Sequence, residues 1–273
     1  MSSLKKLAKL NSMDGIVRDA KLRLLRMHFE SGCGHIGGNL SCLDILMTLF
    51  HVVMGDDDRF VLSKGHAAGA LYTTLWSLGL LTDQDLRTFH KDGTRLGGHP
   101  SPRHMPQIPF ATGSLGHGLP LACGLALGEQ LKGGQGRVYC LLSDGEWQEG
   151  SNWEALIFAA RRGLPLTLIV DKNGLQGFGP VREIGGTADM LEQLRSFGVR
   201  TTDVGGHDPY ALRDALSTGD AGVRAIVAAT HKGNSISFMQ DRMEWHYLPM
   251  SEVLYKQAVQ ELCDEERREV RAA

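Results

Sequence analysis

The sequence predicts an α/β protein with a mostly parallel central sheet and helices on both faces. Residues 138–142 and 166–170 are continuous apolar runs of strand formers, the pattern of parallel strands buried on both sides. Between them, 149–162 sets Trp153, Leu156, Ile157 and Ala160 on one helical face, and Gly163-Leu164-Pro165 ends the helix. A βαβ unit of this length brings two polar clusters side by side, Ser143-Asp144-Gly145 and Asp171-Lys172-Asn173-Gly174. They fall at the carboxyl edge of the sheet, where open α/β sheets take their ligands.

Asp144 offers a carboxylate and Asn173 an amide oxygen, hard donors suited to Mg²⁺ or Ca²⁺. Mg²⁺ usually completes its shell with phosphate oxygens and water, so the pair implies a diphosphate ligand. Gly145 permits close backbone approach, and the helix start beyond it favours an anion. Taken alone, the same residues also read as ordinary turn residues after two strands.

The remaining elements follow in order. Residues 4–30 read as helix, in two pieces around Asn11-Ser12, ending in a glycine-rich loop, 31–38, that carries His35. Residues 41–53 resume as an apolar helix. A short strand then ends in Ser63-Lys64-Gly65-His66, with a helix over 67–80. Thr82 caps a further helix whose first turn holds Asp83 and Asp85. Residues 96–110 contain four prolines and two glycines and form no regular element, so this loop, with His99 and His104, is a functional candidate. A second glycine-rich loop, 111–118, leads into a helix over 119–131. After the central unit come a loop over 179–186, a helix over 188–197 and a strand over 199–204. His207-Asp208 reads as a turn and cap for a helix over 209–217. A strand over 224–230, a tail with Trp245-His246-Tyr247 and a terminal helix over 251–271 complete the chain.

At 273 residues and 42% hydrophobic, with no internal repeat or low-complexity linker, residues 1–273 are expected to form one domain. The net charge of −2, with no basic stripe, gives no sign of nucleic acid as a partner. The five cysteines lack CxxC spacing and suit reduced thiols of a cytoplasmic protein. No signal peptide is seen and no apolar run approaches a bilayer span, so no membrane role is expected.

Together and in this order, the loops resemble transketolase. The matching pieces are Ser31-Gly32 with Gly34-His35 and Gly37, Ser63-Lys64-Gly65-His66, Gly98-His99-Pro100, Thr112-Gly113-Ser114-Leu115-Gly116, Asp144-Gly145 with Asn173, and Trp245-His246. The resemblance covers the amino-terminal third to half of a full-length transketolase, the part that binds the diphosphate of thiamine diphosphate (the PP-type fold). It implies the amino-terminal subunit of a split transketolase, transferring a two-carbon ketol unit with a separate carboxy-terminal, pyrimidine-binding chain in an α2β2 heterotetramer.

Carried over by position, Asp144, Asn173 and the carbonyl of Leu175 would hold Mg²⁺, or Ca²⁺ or Mn²⁺ in its place. Gly113, Ser114, Leu115, Gly145, Asn173, His66 and His246 would line the cofactor. His35, His99 and His246 would be the catalytic residues facing the ketose donor, a role suited to a group that titrates near neutrality. Glu149 and Glu154 resemble acidic residues near the subunit interface. Departures from the family pattern are Ser143 for glycine, Ser114 for proline, His117 for glutamine, and Tyr247 where glycine often follows the histidine. Two rival readings share the fold: the α subunit of a 2-oxoacid dehydrogenase, which Ser63-Lys64-Gly65-His66 with Gly98-His99 disfavours, and a non-catalytic binding or regulatory subunit, which intact Asp144, Asn173 and loop histidines disfavour.

Overall fold

The computed structural model describes residues 13–185, 189–219 and 221–272, with side chains to 264. Five strands, β1 (Arg59–Leu62), β2 (Val138–Ser143), β3 (Leu166–Lys172), β6 (Arg200–Gly205) and β7 (Arg224–Ala229), form one sheet in the order β1-β2-β3-β7-β6. Every pair is parallel, with Val138 opposite Leu166 and Ile169 opposite Ile226. A two-stranded antiparallel ladder of β4 (Leu175–Gln176) and β5 (Gly179–Pro180) stands beyond β3.

The period of two along each strand splits the core in half. Val138, Cys140, Leu142, Leu166, Leu168 and Val227 join one cluster with α5 (Gly118–Lys132), α6 (Gly150–Arg162) and α8 (Met190–Ser196). Tyr139, Leu141, Ile169 and Ile226 join the other with α1 (Met13–Ser31), α2 (Ile36–Thr48), α3 (Ala68–Ser77), α9 (Pro209–Ser217) and α10 (Glu252–Ala272). Crossovers run inward from the β1 edge to β3; then the chain passes to the opposite edge at β6 and returns to β7. Reversing direction puts α9 on the face opposite α6 and opens a crevice where β3 and β7 end.

Two short helices complete the count. At α4 (Asp83–Leu86) a capping box forms, Thr82 Oγ1 accepting from Asp85 N at 3.1 Å while Asp85 Oδ2 accepts from Thr82 N at 2.8 Å. In α7 (Val181–Ile184) the chain turns helical where the sequence predicts loop. Asp208 caps α9 as expected, accepting from Tyr210 N and Ala211 N. Residues 96–110 form no regular element, and the Tyr72 hydroxyl donates to the Gly97 carbonyl at 3.1 Å to hold them. For the first and eighth helices, the expected residues 4–12 and 188 lie outside the described residues.

Two expectations are corrected. The loop predicted over 31–38 is shorter, because α2 starts at Ile36 and takes in Gly37 and Gly38. Glycine at 37 serves a close approach rather than a turn: a Cβ there would lie 3.1 Å from Lys232 Cγ and 3.2 Å from the Trp245 carbonyl. Likewise an apolar run does reach the length of a short bilayer span. Ile36–Val53, where α2 continues into a wider turn (Leu49–Val53), is 18 residues of sufficient hydropathy, but 94% of it is buried as the central helix of the fold.

His28 joins α1 to the loop that follows it. Its Nδ1 lies 3.1 Å from the Cys33 carbonyl and so carries the proton, while Nε2 is buried with no partner among the described residues. Burial pushes this imidazole down from its ordinary 6.5 to about 4. Below the ordinary value the unfolded chain binds the proton that the folded ring refuses, so stability is lost as pH falls from 6.5 to 4. The group should remove about 3 kcal/mol by the lower limit. Denaturant melts should show that a His28→Met variant loses less stability than the parent between pH 7 and pH 4, by roughly that amount.

Candidate functional site

The carboxyl ends of β1, β2, β3 and β7 converge on a cavity of about 330 Å³. Under its floor lies a charged pair with no contact to solvent: Lys64, just after β1, and Asp171, in β3, are both 0% exposed, with Nζ and Oδ2 2.5 Å apart. Ser41 of α2 donates to the same carboxylate at 2.6 Å, Thr230 after β7 donates to its other oxygen, and Lys64 also donates to the Gly38 carbonyl at 2.9 Å. Burial opposes both charges, yet the partner more than offsets it, raising Lys64 and lowering Asp171 relative to their ordinary values.

Asp144 follows β2 and is 3% exposed. One oxygen accepts from Gly174 N at 2.6 Å and the other from Gly145 N at 2.9 Å. Burial and then the Asp171 charge push the carboxyl up to about 6, an environment that calls for a cation. Asn173 Oδ1 accepts from Leu175 N at 3.1 Å. Asp144 thus meets the Asn173 turn as expected, and Asn173 and Leu175 both line the cavity. Among the described residues no three His, Cys, Asp or Glu side chains gather as a metal cage of their own. A carboxylate, an amide oxygen and a carbonyl fit a hard cation that shares its remaining positions with phosphate and water.

The four loop histidines come together over this floor. From His35, ring centroids lie at 5.0 Å for His246, 5.5 Å for His66 and 6.5 Å for His99, and His66 is 5.7 Å from His246. His35 N also donates to the His246 carbonyl at 3.0 Å. Gly113, in the left-handed region at φ 153°, leaves room for His99, whose Cδ2 would meet a Cβ there at 2.8 Å.

One expectation about these rings changes. Burial lowers all four, helped at His35 by His99 and at His66 by Lys64; His246 falls to about 3 through burial and then Lys232. Without an anionic ligand they are neutral hydrogen-bonding groups at neutral pH, not groups in mid-titration.

Of the other predicted site residues, Leu115, Gly145 and Glu149 line the cavity, whereas Ser114 and Glu154 are exposed and are not part of its wall. His104 and His117 are exposed and do not line the cavity. Tyr247 stands at the mouth, 4.7 Å from the His246 ring, with its hydroxyl so close to Gly177 that a Cβ there would collide with it.

Several residues of the site carry no role in the sequence reading. Lys64 and Asp171 stand inside quoted motifs, but their pairing joins chain segments 107 residues apart. Glu146 is fully buried and accepts from Ser63 Oγ at 2.5 Å and Gly116 N at 3.0 Å, tying both loops to β2. Lys232, 2% exposed, reaches His246 Nδ1 at 3.0 Å. Gln176 lines the cavity with its Nε2 covered and unpartnered among the described residues. A charged residue two or three places beyond an apolar strand is the signal that would have found Lys64, Glu146 and Lys232.

An open parallel sheet with a metal-type donor set, a buried ammonium and an orphan amide at its carboxyl edge defines a site for a phosphorylated cofactor. The family described as the transketolase thiamine diphosphate binding domain matches residues 20–252, and the chain belongs to it. It is 35% identical over 257 residues to the apulose-4-phosphate transketolase A chain of Actinobacillus succinogenes, covering 90% of this chain and 93% of that one. It is 34% identical to human transketolase over 93% of this chain but only 42% of that protein. Transketolase from Campylobacter jejuni superposes with a TM-score of 0.82 at 24% identity, over 93% of this chain and 42% of that one. The chain thus spans the apulose-4-phosphate relative nearly end to end and about two fifths of a single-chain transketolase. The family assignment expected from the loops is borne out.

Two substitutions test the geometry. Asp171→Ala strands the Lys64 ammonium and should cost about 3–5 kcal/mol in denaturant unfolding, much of it regained when Lys64→Met is added. Asp144→Ala should abolish Mg²⁺-dependent binding of thiamine diphosphate in titration calorimetry of the assembled enzyme; unchanged affinity would remove Asp144 from the site.

Proposed function

We propose that this chain is the diphosphate-binding subunit of a two-chain transketolase, moving a two-carbon ketol unit from a ketose phosphate to an aldose acceptor. The observation that carries the reading is the four-histidine cluster sharing one cavity with Asn173 and Leu175, beside the turn at Gly174 whose N–H donates to Asp144. In this reading Asp144, Asn173 and the Leu175 carbonyl hold Mg²⁺, with Ca²⁺ and Mn²⁺ compatible with the same oxygen donors. Gly113, Leu115, Gly145 and His66 line the cofactor, and the Gln176 amide offers it a further donor. Bound thiamine diphosphate supplies the electron sink that lets a carbon–carbon bond next to a ketone break.

The chain's own residues supply the rest. His35, His99 and His246, neutral and closely grouped, donate to sugar oxygens, and within the cluster a hydroxyl proton is taken up or returned as the bond breaks and forms. Glu146 and the Lys64–Asp171 pair keep the loops bearing those rings in place. Tyr247 narrows the mouth where substrate enters. Alignment with the apulose-4-phosphate relative over nearly its whole length supports apulose 4-phosphate as the first donor to try.

Exposed apolar side chains at and beside the mouth, Phe178 (85% exposed), Leu248 and Leu115, with Ile157 and Phe158 on α6, support a covering partner. A carboxy-terminal, pyrimidine-binding chain fits that role, in an α2β2 assembly working in the cytoplasm. Purified alone, the chain should show no ketol transfer; with its partner chain, thiamine diphosphate and Mg²⁺ it should gain activity. A screen of apulose 4-phosphate against xylulose 5-phosphate identifies the donor, and robust turnover by the isolated chain would overturn the two-chain reading.

A further inference from the structure

Lys232 is an unusual occupant of the cavity wall. Its side chain is buried, and among the described residues no carboxylate pairs with it. Its hydrogen-bond partner is His246 Nδ1 at 3.0 Å. The backbone around it is tied on both sides: Gly233 N donates to the Gly37 carbonyl at 2.9 Å, Asp241 N donates to the Lys232 carbonyl at 2.8 Å, and His231 N donates to His207 Nε2 at 2.9 Å. The stem passes over Gly37, where any side chain would crowd it. The ammonium is therefore delivered to His246 by a fixed segment rather than by a free surface arm.

An ammonium can only donate. A ring nitrogen that receives its hydrogen bond must be unprotonated, and the proton of a neutral imidazole then sits on the other nitrogen. Burial, then the neighbouring Lys64 charge, lowers Lys232 to about 8, still above neutrality, and His246 is neutral there, so both partners are in the forms this bond requires. Nε2 of His246 is turned toward Gly177 at the cavity wall.

We propose that Lys232 is a positioning residue that locks His246 in the Nε2–H tautomer, so that His246 meets the substrate as a hydrogen-bond donor and not as a base. The proposal rests on the transketolase reading for its catalytic consequence, but the tautomer itself does not. It divides labour within the cluster: His246 stabilises oxygen that becomes negative in the transition state, and proton abstraction falls to His35 or His99, which no lysine fixes in this way among the described residues.

The test has two arms. In the full-length chain labelled with ¹⁵N-histidine, the His246 resonances, assigned by their loss in His246→Gln, should show a protonated Nε2 and a bare Nδ1. Lys232→Met should shift that ring to a mixture of tautomers, and Lys232→Arg, also donor-only, should keep it. In the enzyme assembled with its partner, Lys232→Met should lower kcat about tenfold or more while the Kd for thiamine diphosphate changes less than about threefold. A wild-type His246 carrying its proton on Nδ1 overturns the proposal whatever the activity. So does a Lys232→Met variant that weakens the cofactor more than about tenfold with the tautomer unchanged, which would make Lys232 an anion contact. Should no donor be turned over by the assembled wild type, the ketol-transfer reading fails while the spectrum still decides the tautomer.

Discussion

The buried ion pair between Lys64 and Asp171 holds the ends of the central strands in register with the helix behind them. Two charges without solvent persist there because every partner is supplied: Ser41 from α2, Thr230 from beyond β7, and the Gly38 carbonyl. Through these contacts β1, β3, β7 and α2 are fixed to one another at the edge where the site lies. Asp144 and Lys232 feel the same pair, the one raised by burial and then Asp171, the other lowered by burial and then Lys64. The pair therefore sets the electrostatic floor on which the cavity is built.

That floor explains the chemistry of the rings above it. Lys64 below and Lys232 in the wall place positive charge beside the rings, and after burial they disfavour a further one on His35, His66 and His246. The rings stay neutral and the ammonium of Lys232 faces them, a state that favours an anionic ligand such as a diphosphate. Asp144, set among backbone N–H groups and short of a counterion, is the complementary place for a divalent cation. A metal diphosphate satisfies both demands at once, and this is the physical sense in which the family match and the geometry agree.

Much of this was legible in the chain. Apolar runs at 138–142 and 166–170 gave β2 and β3 to within a residue or two, because buried parallel strands leave a continuous hydrophobic signature. Asp144 and Asn173 could be singled out because residues just past such strands must face the carboxyl edge. The boundaries that failed were glycine-rich. Gly37 and Gly38 read as loop, yet they lie inside α2, where they make room for Lys232, Trp245 and His66. Glycine tells the reader that space is needed and not whether a turn or a neighbour needs it.

By itself the sequence determined the α/β class, the βαβ unit and the set of loops that meet at the cavity, since each depends on local period, turn residues and order along the chain. Only the tertiary structure decided which charges meet. Lys64 reaches Asp171 across 107 residues, Ser63 reaches Glu146 across 83, and Lys232 reaches His246 only because a segment held by Gly37 and His207 carries it inward. Burial and pairing set the protonation of these groups, and neither quantity exists until the sheet has closed over them.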